Sequence, residues 1–161
     1  CGFIEYTEIP IAACGRSPSK CGILSKKWLE FLNSSEDHVN LPTKSLVAIV
    51  ALAHVGFMML EMFFWQSPYA MASFNMTPEF AKATAVLAAN QGLYNGFLAA
   101  GLVWGLISRP RGAGICKFFL ACIIVAGGFG AATAKPSIFF VQALPAIVAL
   151  LAIMLTQRQP E

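Results

Sequence analysis

The feature that most restricts this chain is a set of four long apolar runs. They extend from Leu46 to Trp65, from about Ala83 to Ile107, from about Gly114 to Ala134 and from Ser137 to Leu155. Roughly twenty residues, at about 1.5 Å each, carry an α-helix across the hydrocarbon core of a bilayer. Lipid offers peptide groups no hydrogen bonds, so a run placed there has to satisfy its own backbone as a helix. Composition agrees: 57% of the 161 residues are hydrophobic, 12% are charged, and the mean hydropathy is +0.66. A soluble domain has about 45–50% apolar and about 25% charged residues. The expected fold class is all-α, a four-transmembrane-helix bundle over residues 43–157 behind a polar N-terminal extension, residues 1–42.

The extension carries Pro10, Pro18 and Pro42 and one short amphipathic run, Ile23 to Leu32, with Leu24, Trp28, Phe31 and Leu32 on one face. That run reads as a helix lying on the membrane or on a partner. The chain begins at Cys1, which leaves two readings open: an upstream targeting segment was removed, or the sequence is a fragment. Pro68 and Pro78 bracket the first loop, Pro110 lies in the second and Pro136 in the third. With four crossings, the head, second loop and tail share one side. That side holds nine of the eleven basic residues, leaving only Lys82 and Lys135 opposite. The bias places both termini on the cytoplasmic, stromal or matrix side.

Polar residues inside apolar helices are costly and therefore the best functional leads. The first run carries His54 and Glu61, the second Asn90, Gln91, Tyr94 and Asn95, and the fourth Gln142, three residues before Pro145. Counting helical rise from the trans end of each run puts Glu61 about 6 Å deep, Gln142 about 8 Å, and Asn90 and Gln91 about 10–12 Å. His54 and Asn95 both come out about 17 Å deep. Two polar layers are expected: Glu61, Asn90, Gln91 and Gln142 toward the trans side, and His54 with Asn95 near the centre. Either they pin the bundle by interhelical hydrogen bonds, or they line a cavity for a head group, proton, metal or pigment. Glu61 leans furthest toward function, because a buried carboxyl needs a partner or must hold its proton. His54 lies about 10.5 Å away along the helix, too far for direct contact.

Small residues set the close packing: Gly92 with Gly96, Gly101 with Gly105, and Ala126 with Gly130 are small-xxx-small pairs. Pro145 is expected to kink the last helix and free a carbonyl near Gln142. Cys1, Cys14 and Cys21 have no CxxC-like spacing, so no metal cluster is expected, and Cys116 and Cys122 read as small buried apolar residues. His38 reads as a solvated residue. No nucleophile elbow, P-loop or dinucleotide fingerprint occurs, and no basic stripe suggests nucleic acid.

HVGFMMLEMFFW (His54–Trp65), NQGLYNGFLAAGLVWG (Asn90–Gly105), FFLACIIVAGGFGA (Phe118–Ala131) and QALPAIVAL (Gln142–Leu150) resemble the blocks of one family. It comprises small four-helix integral membrane proteins catalogued as a domain of unknown function. The resemblance covers about residues 44–155, implies the four-helix bundle, and matches at His54, Glu61, Asn90, Gln91, Asn95 and Gln142. It supplies no activity, and the N-terminal extension departs from the family's compact pattern.

The leading functional expectation is a non-catalytic accessory subunit of a larger membrane assembly, with other subunits and lipids as partners. An organellar energy-transducing complex is favoured, a photosystem of a plastid thylakoid slightly ahead of a respiratory complex of the mitochondrial inner membrane. In a photosystem, His54, Glu61 or a glutamine would ligate chlorophyll, and the thirteen phenylalanines would pack on chlorophyll or carotenoid tails. The alternatives are a small oligomeric transporter or ligand-binding protein using the polar layer, and a membrane enzyme with Glu61 and His54 as acid and base.

Overall fold

The computed structural model describes residues 39–157. The polar extension up to His38, its amphipathic run, Cys1, Cys14, Cys21 and Arg158 lie outside the described residues. Five α-helices follow one another: α1 (Leu41–Phe63), α2 (Pro68–Phe74), α3 (Pro78–Ile107), α4 (Gly112–Thr133) and α5 (Leu144–Thr156). A π-helical turn, Phe139–Ala143, leads into α5, and no strand occurs among the described residues.

Three of these helices start by one device. Asn40, Ser67 and Thr77 are extended N-caps whose side-chain oxygens accept from the amides of Thr43 (3.1 Å), Ala70 (3.2 Å) and Phe80 (3.2 Å). Each is followed by a proline in the first turn, Pro42, Pro68 and Pro78. Proline's fixed φ suits that turn and its missing N–H would have had no partner there. These prolines therefore open helices, and Pro68 opens a short one inside the first loop. The correction moves the start of the first long helix from Leu46 to Leu41, and that of the second from Ala83 to Pro78. It also adds α2, which apolar run length alone does not signal. The short helix ends at Asn75, whose left-handed φ of 53° an asparagine tolerates.

α1 packs on α3, α3 on α4, α4 on α5, and α5 closes back on α1. Thr43 and Thr156 meet Oγ1 to Oγ1 at 3.2 Å where the ring closes. The core is built of small and branched residues, among them Val47, Ala51, Leu102, Leu120, Ile123, Ala149 and Ile153. Gly92 and Gly96 face Met62, Glu61 and Met58 of α1, while Gly101 and Gly105 face Phe119 and Cys116 of α4. A Cβ on Gly92 would lie 2.7 Å from Met62 Cγ, so the two helices approach closely only because it is absent. On α4 the close approach is made by Gly127 against Ala143, with Gly130 near Ile138. Ala126, expected to pair with Gly130, is exposed, because it lies one residue round the helix from the buried face.

Gly92 stands opposite the last turn of α1, so α3 from Pro78 to Gln91 runs past the end of its neighbour by about 20 Å. The connection is fastened beside this overhang. The Trp65 indole N–H donates to Thr84 Oγ1 (3.0 Å), the Trp65 and Phe74 rings pack at a tilt with centroids 5.2 Å apart, and Lys135 Nζ donates to the Ser73 carbonyl (2.8 Å).

The outward faces are apolar: Leu52, Val86, Val125 and Phe129 are all exposed. A bundle made for water would turn polar side chains outward. Among the described residues, Leu41–Phe63, Gly112–Thr133 and Phe139–Thr156 are long and apolar enough to cross a membrane, which marks an integral membrane protein. α3 is longer still, at 30 residues, but Asn90, Gln91 and Asn95 dilute its apolar character.

Candidate functional site

The structure regroups the six polar positions. Asn95, 6% exposed on α3, donates from Nδ2 to Glu61 Oε2 of α1 at 2.7 Å. This bond lies three residues along α3 from Gly92, whose bare backbone lets the helices approach closely enough for it. Glu61 is half-buried, so the clamp sits near the rim of the α1–α3 seam.

The expected pairing of Asn95 with His54 is therefore corrected. The depth count took the ends of the two helices as level, whereas α3 begins at Pro78 and overshoots α1. Asn95 consequently stands opposite the end of α1 and meets Glu61. His54 lies two turns further in, 1% exposed, with Nδ1 donating to the Val50 carbonyl at 2.8 Å. Phe57 packs edge-on against its ring at 5.3 Å, and Nε2 is buried without a hydrogen-bond partner among the described residues.

Asn90 and Gln91 share the level of Glu61 but not its seam. Both are exposed on the outer face of α3, level with the end of α1, and Tyr94 is exposed beside them. Gln142 is half-buried in the π-helical turn. There Leu144 N–H bonds to the Phe139 carbonyl, one residue further back than in an α-helix. Pro145 has no N–H to offer Val141 and its ring needs room beside that carbonyl, so the preceding turn is widened. The expected proline disturbance is present, as a π turn.

Neither Glu61 nor His54 engages the other, and each holds a partner of its own. Among the described residues no three His, Cys, Asp or Glu side chains come together as metal ligands. Cys116 is buried and Cys122 half-buried, both as free thiols. Sequence reasoning missed the Glu61–Asn95 clamp, although Thr77-Pro78-Glu79, an N-cap, a first-turn proline and a first-turn acid, marks the helix start that sets its register. Trp65–Thr84 and Thr43–Thr156 have no comparable signal, since each depends on how distant elements meet.

Apolar helices closed into a ring and pinned by a carboxyl–carboxamide bond define a small helical-bundle membrane protein. Within that class, the chain belongs to the family described as protein of unknown function (DUF1304), whose profile matches residues 48–154. It is also similar to the uncharacterized protein YpaA of Lactococcus lactis, 32% identical over 108 residues that cover 66% of this chain and 91% of that one. No solved structure matches it.

Proposed function

We propose that this chain is a non-catalytic accessory subunit that crosses the membrane four times and docks sideways on another membrane protein. The observation that carries this reading is the outward display of Asn90 and Gln91 beside Tyr94, at the root of the α3 overhang. Carboxamides facing lipid or headgroups gain most when a neighbouring chain supplies their hydrogen bonds. A carrier or enzyme working inside the bundle would turn them inward. The acid–base alternative is the weaker reading, because Glu61 and His54 hold separate partners about 10.5 Å apart along α1.

In this reading α3 is the fourth crossing, and both termini lie on the basic side, which holds Lys44, Arg109, Arg111 and Lys117. A photosystem or respiratory complex, with chlorophyll, carotenoid or lipid contacts, is one form such an assembly would take. Nothing in the structure favours a thylakoid or plastid, and YpaA is bacterial, so the proposal rests on the accessory role alone.

The test is a photo-cross-linking side chain on the exposed face of α3 in the full chain, in native membranes, followed by native electrophoresis. With the probe placed at Tyr94, which is exposed beside Gln91, one discrete protein adduct migrating with a larger complex is expected, and it should vanish when the same probe is carried by the Asn90→Leu/Gln91→Leu variant. Adducts to lipid alone would overturn the reading.

A further inference from the structure

At the basic end of the bundle, away from the Glu61–Asn95 clamp, α3 and α4 leave a groove of about 560 Å³ between them. It is lined by Trp104, Arg111, Gly114, Ile115, Phe118 and Phe119. The volume lies within the range of about 300–1,000 Å³ typical of small-ligand sites. Gly114 keeps it open, since a Cβ there would meet no atom within 4 Å. Four of the six lining side chains are apolar or aromatic, and the single charge is Arg111, exposed at the mouth.

The charge balance here is one-sided. Lys44, Arg109, Arg111 and Lys117 lie at this end, whereas Glu61 and Glu79, the acids among the described residues, lie toward the other. Lys117 is directed at α5, its Nζ donating to Gln157 Oε1 at 2.9 Å. Arg111 has no ion pair among the described residues. An apolar trough along two membrane helices, closed at the surface by a guanidinium and an indole, complements a ligand with a hydrocarbon body and an anionic head. A guanidinium binds phosphate oxygens through paired N–H donors, and tryptophan favours the headgroup level.

We infer that this groove binds an anionic phospholipid, one acyl chain lying along Ile115, Phe118 and Phe119 and the headgroup phosphate on Arg111. The occupant belongs to the leaflet on the basic side, so the site does not depend on which protein the chain assembles with.

The experiment is native mass spectrometry of the purified full-length protein in detergent, with equimolar dioleoylphosphatidylglycerol and dioleoylphosphatidylcholine. The wild type should retain phosphatidylglycerol in preference. Arg111→Gln should cut that preference about fivefold while leaving phosphatidylcholine retention unchanged. Gly114→Leu puts a bulky side chain into the trough from a position where a Cβ meets nothing within 4 Å, and should lower retention of both lipids. Gly114→Ala should do so to a smaller extent and serves if the leucine variant does not fold. Lys117→Gln removes a cation held by Gln157 and should change little. Equal retention of the two lipids by the wild type, or unchanged retention in the folded Gly114 variants, would overturn the inference.

Discussion

The Glu61–Asn95 bond makes a quantitative claim that a double-mutant cycle can test. The two residues are 34 apart in sequence and joined at 2.7 Å across the α1–α3 seam. Interhelical hydrogen bonds in membranes average about 0.6 kcal/mol and reach about 1.7. Asn95→Ala also strands the carboxyl group, which adds about 1–3 kcal/mol for a buried group. Glu61 is only half-buried, so the low end of that range applies, and the variant should lose about 2 kcal/mol in all. Glu61→Gln keeps a side-chain carbonyl able to accept from Asn95 Nδ2 and should lose less than about 0.5 kcal/mol. Glu61→Ala/Asn95→Ala should then be milder than the sum of the single alanine variants by about 1 kcal/mol. Unfolding by sodium dodecyl sulfate in mixed micelles, followed by far-ultraviolet circular dichroism, measures all four. Additivity of the alanine variants within about 0.3 kcal/mol would refute the clamp, as would a glutamine variant as damaged as Asn95→Ala.

Two further outcomes follow from the packing. Gly127→Ala would place a Cβ 2.9 Å from the Ala143 amide nitrogen and should lower stability by about 1–3 kcal/mol, whereas Gly128→Ala meets nothing within 4 Å and should be neutral or gain up to about 1 kcal/mol. The same micelle titration separates them, and equal effects would refute the seating of α4 on the π turn. His54→Leu removes an Nε2 that is buried without a partner among the described residues and should leave the unfolding midpoint unchanged or raised; a loss beyond about 1 kcal/mol would refute the absence of a bond at Nε2.

The sequence carried the long helices in the clearest form, because a bilayer dictates both their length and their apolarity. The small-xxx-small spacing of Gly92 and Gly96 likewise signalled close helix packing, and both glycines face α1. Helix starts were harder to read. Hydropathy falls off before the helix does, so Pro42 and Pro78 looked like boundaries when they are first-turn residues. Because α3 also runs past the end of α1, depths counted from the two helix ends are not comparable, and Asn95 was placed level with His54 when it meets Glu61. Which way a polar side chain turns is set by tertiary packing, so the outward aspect of Asn90 and Gln91 could not be read from depth. The Trp104–Arg111 groove was equally hidden, since its two walls come from different helices and its floor is a missing side chain at Gly114.

The widened turn at Phe139–Ala143 has a consequence for how this polypeptide tolerates changes of length. It winds one more residue between successive backbone bonds than the helix on either side. That residue is slack stored inside a membrane segment. A relative one amino acid shorter here, and without a proline at the place of Pro145, could tighten the coil to ordinary pitch and still deliver Thr156 to Thr43 in register. A deletion in α4, where Gly127 is wedged against Ala143, has no such reserve and would swing every later side chain by about 100°.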